Sequence, residues 1–83
     1  MTSMNSQMLA QRLGMQIRQA RRARGLTQEA LGALAGLTRQ KVIAIEKGVD
    51  SVSMSAYART LSALACELLI APADGPALVS MAE

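Results

Sequence analysis

The sequence predicts a small all-α domain of four to five helices followed by one short C-terminal β-strand, and three observations carry that expectation. Apolar residues recur at helical spacing through most of the 83 residues. Glycine and Ser/Thr positions separate these runs where helices must stop and start. One stretch, CELLIA at 66–71, is apolar on both alternations and stands too close to Pro72 for a long helix, which fits a strand.

Residues 1–8 are expected to be flexible, and the domain proper to run over 9–65. Leu9, Leu13, Ile17 and Ala20 form the apolar stripe of a first helix, with Arg21 at its edge, and Gly25 closes it. Thr27 is placed to cap a second helix, QEALGALA, with Glu29 near its positive end and Leu31 and Leu34 facing inward. Position 30 is Ala, so there is no capping box. Thr38 can cap a third helix that begins at Arg39 and stops at Gly48. After Ser53, the residues Met54, Tyr57, Ala58, Leu61, Leu64 and Ala65 share one arc of a helical wheel, which reads as a core face. The strand 66–71 and a flexible tail over 72–83 complete the chain.

A domain of this length, 51% hydrophobic and 18% charged, has a marginal core, and small cores often gain stability by oligomerising. Cys66 is the only cysteine and there is no histidine, which excludes an internal disulfide framework and the usual zinc spacings. A reducing cytoplasm fits this usage best. No carboxylate pair has catalytic spacing, so no enzyme, metal or cofactor is expected. No apolar run approaches the ~20 residues needed to span a bilayer. The Arg-rich, acid-free start MTSMNSQMLAQRLGMQIRQARRARG resembles an organellar transit peptide in composition, yet its removal would delete the first helix of the domain.

Charge is divided unevenly along the chain. Residues 1–48 hold Arg12, Arg18, Arg21, Arg22, Arg24, Arg39, Lys41 and Lys47 against only Glu29 and Glu46. The remainder holds Arg59 against Asp50, Glu67, Asp74 and Glu83. The basic half invites a polyanion, although arginines also serve simply to solvate a helix face.

The most specific constellation is QEALGALAGLTRQKVIAI, residues 28–45, which supplies two short helices joined through Gly36. Leu31, Ala35, Leu37, Val42 and Ile45 are its apolar positions, and Gly32 and Gly36 stand where helices cross closely or turn tightly. Together they spell a helix-turn-helix; the bland reading is a generic αα-hairpin. With Arg39 at the origin of a helical wheel, Ile43 falls at about 40°, Lys47 at about 80°, Gln40 at about 100° and Ala44 at about 140°, one contiguous face. Val42, Ile45 and Glu46 take the opposite arc. Two partners are implied: a core on one side, and on the other a major groove, where Arg reads guanine, Gln reads adenine, and Ile or Ala touches a thymine methyl. Contact of Ile43 and Ala44 with a neighbouring helix or a second copy is the alternative.

The motifs ARGLTQEALGALAGLTRQKVIAIEKG and SMSAYARTLSALA make residues 9–64 resemble the helix-turn-helix domain of the Cro and lambda-repressor family. The segment ALACELLIAPAD is similar to antitoxins of HipB type, in which a C-terminal strand pairs across a homodimer. The resemblance implies a five-helix fold, base reading by Arg39, Gln40 and Ala44, and a phosphate clamp at Gln28. Ala44 replaces the polar reader of some family members. Thr38 and Lys47 are further phosphate candidates, with a plain capping role as the alternative for Thr38. Glu46 turns inward and needs a partner. The family's match is Arg21, giving a structural ion pair.

The expected function is therefore a cytoplasmic, sequence-specific repressor that binds an inverted-repeat operator in double-stranded DNA as a homodimer, with Glu67, Leu68, Leu69 and Ile70 in the dimer contact. An autoregulating antitoxin with a cognate toxin is the expected form. The alternatives are a toxin-neutralising protein-binding module with little DNA role, and a stand-alone Cro-like regulator. For CELLIA, the alternative is an extension of the fourth helix within one chain.

Overall fold

The computed structural model describes residues 5–71, and over these it folds into four helices: α1 (Ser6–Ala23), α2 (Gln28–Ala35), α3 (Arg39–Lys47) and α4 (Met54–Ala63). Each helix starts on a side chain that takes up an N–H its first turn cannot satisfy. Asn5, Thr27, Thr38 and Ser53 accept from the N–H of Met8, Ala30, Lys41 and Ala56 at 2.8, 3.0, 3.1 and 3.1 Å. Such a cap contributes roughly 1 kcal/mol. Because Asn5 serves as one, the helical domain begins upstream of the expected boundary at residue 9. The expected flexible tail, 72–83, lies outside the described residues, as do residues 1–4.

The helix ends share one device. Gly25, Gly36 and Gly48 take positive φ, and the chain then reverses. After α1 and α3, the next N–H reaches back to a carbonyl of the last turn, Leu26 to Arg21 O at 3.1 Å and Val49 to Ala44 O at 3.0 Å. α4 ends in the same way without a glycine. Cys66 N–H donates to Leu61 O at 2.8 Å, and Ala65 carries the positive φ of 55°. A left-handed Ala costs roughly 1–2 kcal/mol that Gly would not. Ala65→Gly is expected to stabilise the domain by roughly 1 kcal/mol, raising Tm by about 4–8 °C in a thermal melt; an unchanged or lowered Tm would show that this turn is not left-handed.

α1 lies across α3, while α2 packs on both α3 and α4. The core between them is Ile17, Leu31, Val42, Ile45, Tyr57 and Leu64, with Ala56 beside them. Burial pushes the Tyr57 phenol above its ordinary pKa of 10.0. The buried Thr60 hydroxyl is satisfied, donating to Ala56 O at 2.8 Å. Close crossings depend on glycine. A Cβ on Gly14 would stand 2.5 Å from Ile45 O, and one on Gly48 would stand 2.6 Å from Gln11 Cα.

Several inward assignments need correction. α2 buries Leu31 and Ala35, leaving Leu34 63% exposed. On α1, Leu9 is exposed. On α4, the buried residues are Ala56, Tyr57 and Thr60, so Met54, Ala58 and Ala65 face solvent. These helices touch the core along a narrow strip, and among the described residues no fifth helix covers the arc beside it. The expected strand is also absent. Residues 66–71 form neither helix nor strand, because the left-handed turn at Ala65 ends α4 and the described chain offers no neighbouring strand to pair with.

Candidate nucleic-acid interface

α2 and α3 are joined by a turn that local chemistry specifies closely. Gly36 adopts φ 71°, Leu37 N–H donates to Gly32 O at 2.8 Å, and a Cβ on Gly32 would stand 2.6 Å from Leu37 O. Only glycine at 32 and 36 lets the two helices approach in this way. Arg59 of α4 donates to Gly36 O at 3.3 Å and so caps the end of α2. Sequence reasoning assigned Arg59 no role, since its partner lies far away along the chain.

α3 presents the two sides described above. Val42, Ile45 and Glu46 are buried, whereas Arg39, Gln40, Lys41 and Lys47 are exposed and Ile43 and Ala44 are half-buried. The exposed face thus holds two cations beside Arg39 and Gln40, with apolar Ile43 and Ala44 partly sheltered between them and the core. Thr38 Oγ1 accepts the Lys41 N–H, yet its hydroxyl hydrogen remains available to a further acceptor. Cap and phosphate contact are therefore compatible at this position.

Behind α3 sits a polar cluster in an otherwise apolar core. Arg21 Nε donates to Glu46 Oε2 at 2.6 Å and Nη2 to Oε1 at 3.1 Å, a two-pronged pair with side-chain exposures of 9% and 4%. Arg21 Nη1 donates to Leu26 O at 2.7 Å, holding the turn between α1 and α2. A third hydrogen bond to this carboxylate was not foreseen: Gln28, the first residue of α2, donates from Nε2 to Glu46 Oε1 at 3.2 Å. One carboxylate therefore ties α1, α2 and α3 together, and among the described residues no buried side-chain polar atom lacks a partner. The only sequence signal for Gln28 here was its place beside the turn, which does not specify a partner on α3.

Beyond α4, Glu67, Leu68, Leu69 and Ile70 are all exposed, Ile70 by 98%. Leu68 and Leu69 border an open groove of about 380 Å³ whose floor is Leu13, Ile17, Leu61 and Leu64. Cys66 lies at its edge as a free thiol, half-buried. Among the described residues no group of acidic or sulfur side chains is arranged to hold a metal ion, and no helix is long and apolar enough to cross a membrane.

Comparison with known proteins agrees with this geometry. Over 51 residues, 61% of this chain and 74% of the relative, the sequence is 47% identical to an uncharacterized HTH-type transcriptional regulator of Methanothermobacter thermautotrophicus. Residues 12–68, which run from α1 through all of α4, match the helix-turn-helix domain family, and the chain belongs to that family.

Proposed function

We propose that this protein is a sequence-specific, dimeric transcriptional repressor that inserts α3 into the major groove of double-stranded DNA. The observation that carries this reading is the division of α3 into a buried arc and an exposed arc that begins with Arg39 and Gln40, directly after a glycine-built turn. Arg39 and Gln40 are the base readers, with Ile43 and Ala44 offering apolar edges to thymine methyl groups. Gln28, Thr38 and Lys47 supply phosphate contacts, which fix register without reading sequence. The mechanism is occlusion: a bound dimer excludes polymerase, and the protein performs no chemistry.

Dimerisation through residues 66–71 is supported by the exposure of Leu69 and Ile70, and by α4 stopping short of them. Two copies pairing these segments antiparallel about a two-fold axis would cover the apolar side chains and set the α3 helices about one DNA turn apart, ~34 Å, or a multiple of it. A chain truncated after Ala65 is expected to stay helical, sediment as a monomer and lose tight binding to an inverted-repeat duplex, because two linked half-site contacts become one. A truncated chain that still sediments as a dimer and binds unchanged contradicts this assignment. Placement in the Cro and lambda-repressor branch and the HipB-type antitoxin role rest on the resemblance of the motifs quoted above, and a cytoplasmic location on the single cysteine and on DNA as the partner. The antitoxin role is tested by whether the product of the adjacent gene arrests growth unless this chain is co-expressed.

A further inference from the structure

We propose that Glu46 is a positioning residue for DNA binding: its buried carboxylate fixes the Gln28 carboxamide so that one Nε2–H is held inside and the other is aimed at a DNA phosphate. The proposal rests on the DNA-binding reading above and assigns a function to a carboxylate that would otherwise only stabilise the core.

An ionised carboxylate only accepts hydrogen bonds, so the Gln28 group facing Glu46 Oε1 at 3.2 Å must be the NH₂ and not the carbonyl. The amide nitrogen carries two hydrogens about 120° apart, and one bond to Glu46 leaves the second free to point away from the carboxylate. Without Glu46, the carboxamide could turn over and offer its carbonyl oxygen, which a phosphate repels. Arg21 makes the arrangement rigid by holding both carboxylate oxygens, at 2.6 and 3.1 Å. Glu46 is on α3 and Gln28 on α2, so the link also locks the phosphate contact of one helix to the base-reading face of the other. A free glutamine would lose that register, together with the side-chain entropy of choosing a rotamer on binding.

The experiment is a double-mutant cycle on affinity for a duplex recovered by selection with the wild-type protein, using Gln28→Ala, Glu46→Gln and both together, with each variant's folded fraction set by circular dichroism. Each single change is expected to weaken binding by the folded protein about tenfold, and the double change to weaken it no further. Arg39→Ala combined with either should multiply their effects. Additive losses, or Glu46→Gln lowering stability while the folded fraction binds as wild type, would overturn the proposal. Should Glu46→Gln fail to fold, side-chain amide NMR of wild-type Gln28 decides: of the two Nε2 protons, only the one not held by Glu46 should shift when the duplex is added. Equal shifts, or none, contradict the assignment. If the wild-type protein selects no duplex at all, the DNA-binding reading itself fails; if it selects one and Gln28→Ala binds it normally, only the positioning role does.

Discussion

Glu46→Ala is expected to cost about 3–5 kcal/mol of folding free energy, which for a domain holding roughly 5–15 kcal/mol in total leaves little margin. Removing the carboxylate strands the Arg21 guanidinium, 9% exposed, with only Leu26 O among its three observed acceptor contacts. Arg21→Ala should be comparable, because it leaves a carboxylate that is 4% exposed with Gln28 as its one remaining donor. The asymmetry lies in the unpaired partner and not in the pair itself. Replacing both with apolar residues of similar volume, Arg21→Met with Glu46→Leu, is expected to recover most of the loss or exceed wild type. Urea unfolding of the three variants reads this directly. Single variants within about 1 kcal/mol of wild type would mean that the pair is open to water.

Gly14→Ala is expected to lower stability by about 3 kcal/mol, against the local expectation that Ala improves on Gly inside a helix by roughly 1 kcal/mol. The added Cβ would stand 2.5 Å from Ile45 O, 2.6 Å from Glu46 O and 2.9 Å from Glu46 C, all backbone atoms of the last turn of α3. That turn cannot retreat cheaply, because its carbonyls also accept the closing bonds after Gly48, which itself abuts Gln11. Either α1 separates from α3, exposing Ile17 and Ile45, or α3 tilts and strains the Arg21–Glu46 pair. Thermal unfolding checks the sign: a higher Tm in the variant would show that the helices do not cross here.

Gly14 also shows where sequence reasoning stops. Its neighbours Leu13 and Ile17 were legible as core from their spacing, but a glycine between them carries no local signal that another backbone passes within van der Waals range. Glu46 was legible as an inward position because helical spacing places it on one arc of α3 with Val42 and Ile45. Its second partner, Gln28, depends on the angle between two helices, which no periodicity encodes. Leu34 and Met54 fit an apolar arc yet face solvent, since in helices of eight and ten residues the contact strip is narrower than the arc that a wheel can resolve. α4 ends at Ala63 where no glycine announces it, the left-handed turn falling on Ala65. By contrast, the caps at Thr27, Thr38 and Ser53 and the turns at Gly25, Gly36 and Gly48 are local chemistry, and all were readable one residue at a time.

The most direct test of α3 as the reading element is a binding-site selection from random duplexes, run in parallel with wild type, Arg39→Ala and Gln40→Ala. Wild type is expected to recover an inverted repeat. Each substitution should relax preference at one base pair per half-site, costing about 1–3 kcal/mol on the wild-type sequence while leaving binding to unrelated DNA nearly unchanged. Identical sequence preferences from all three proteins would contradict the account, because the exposed start of α3 would then read no bases.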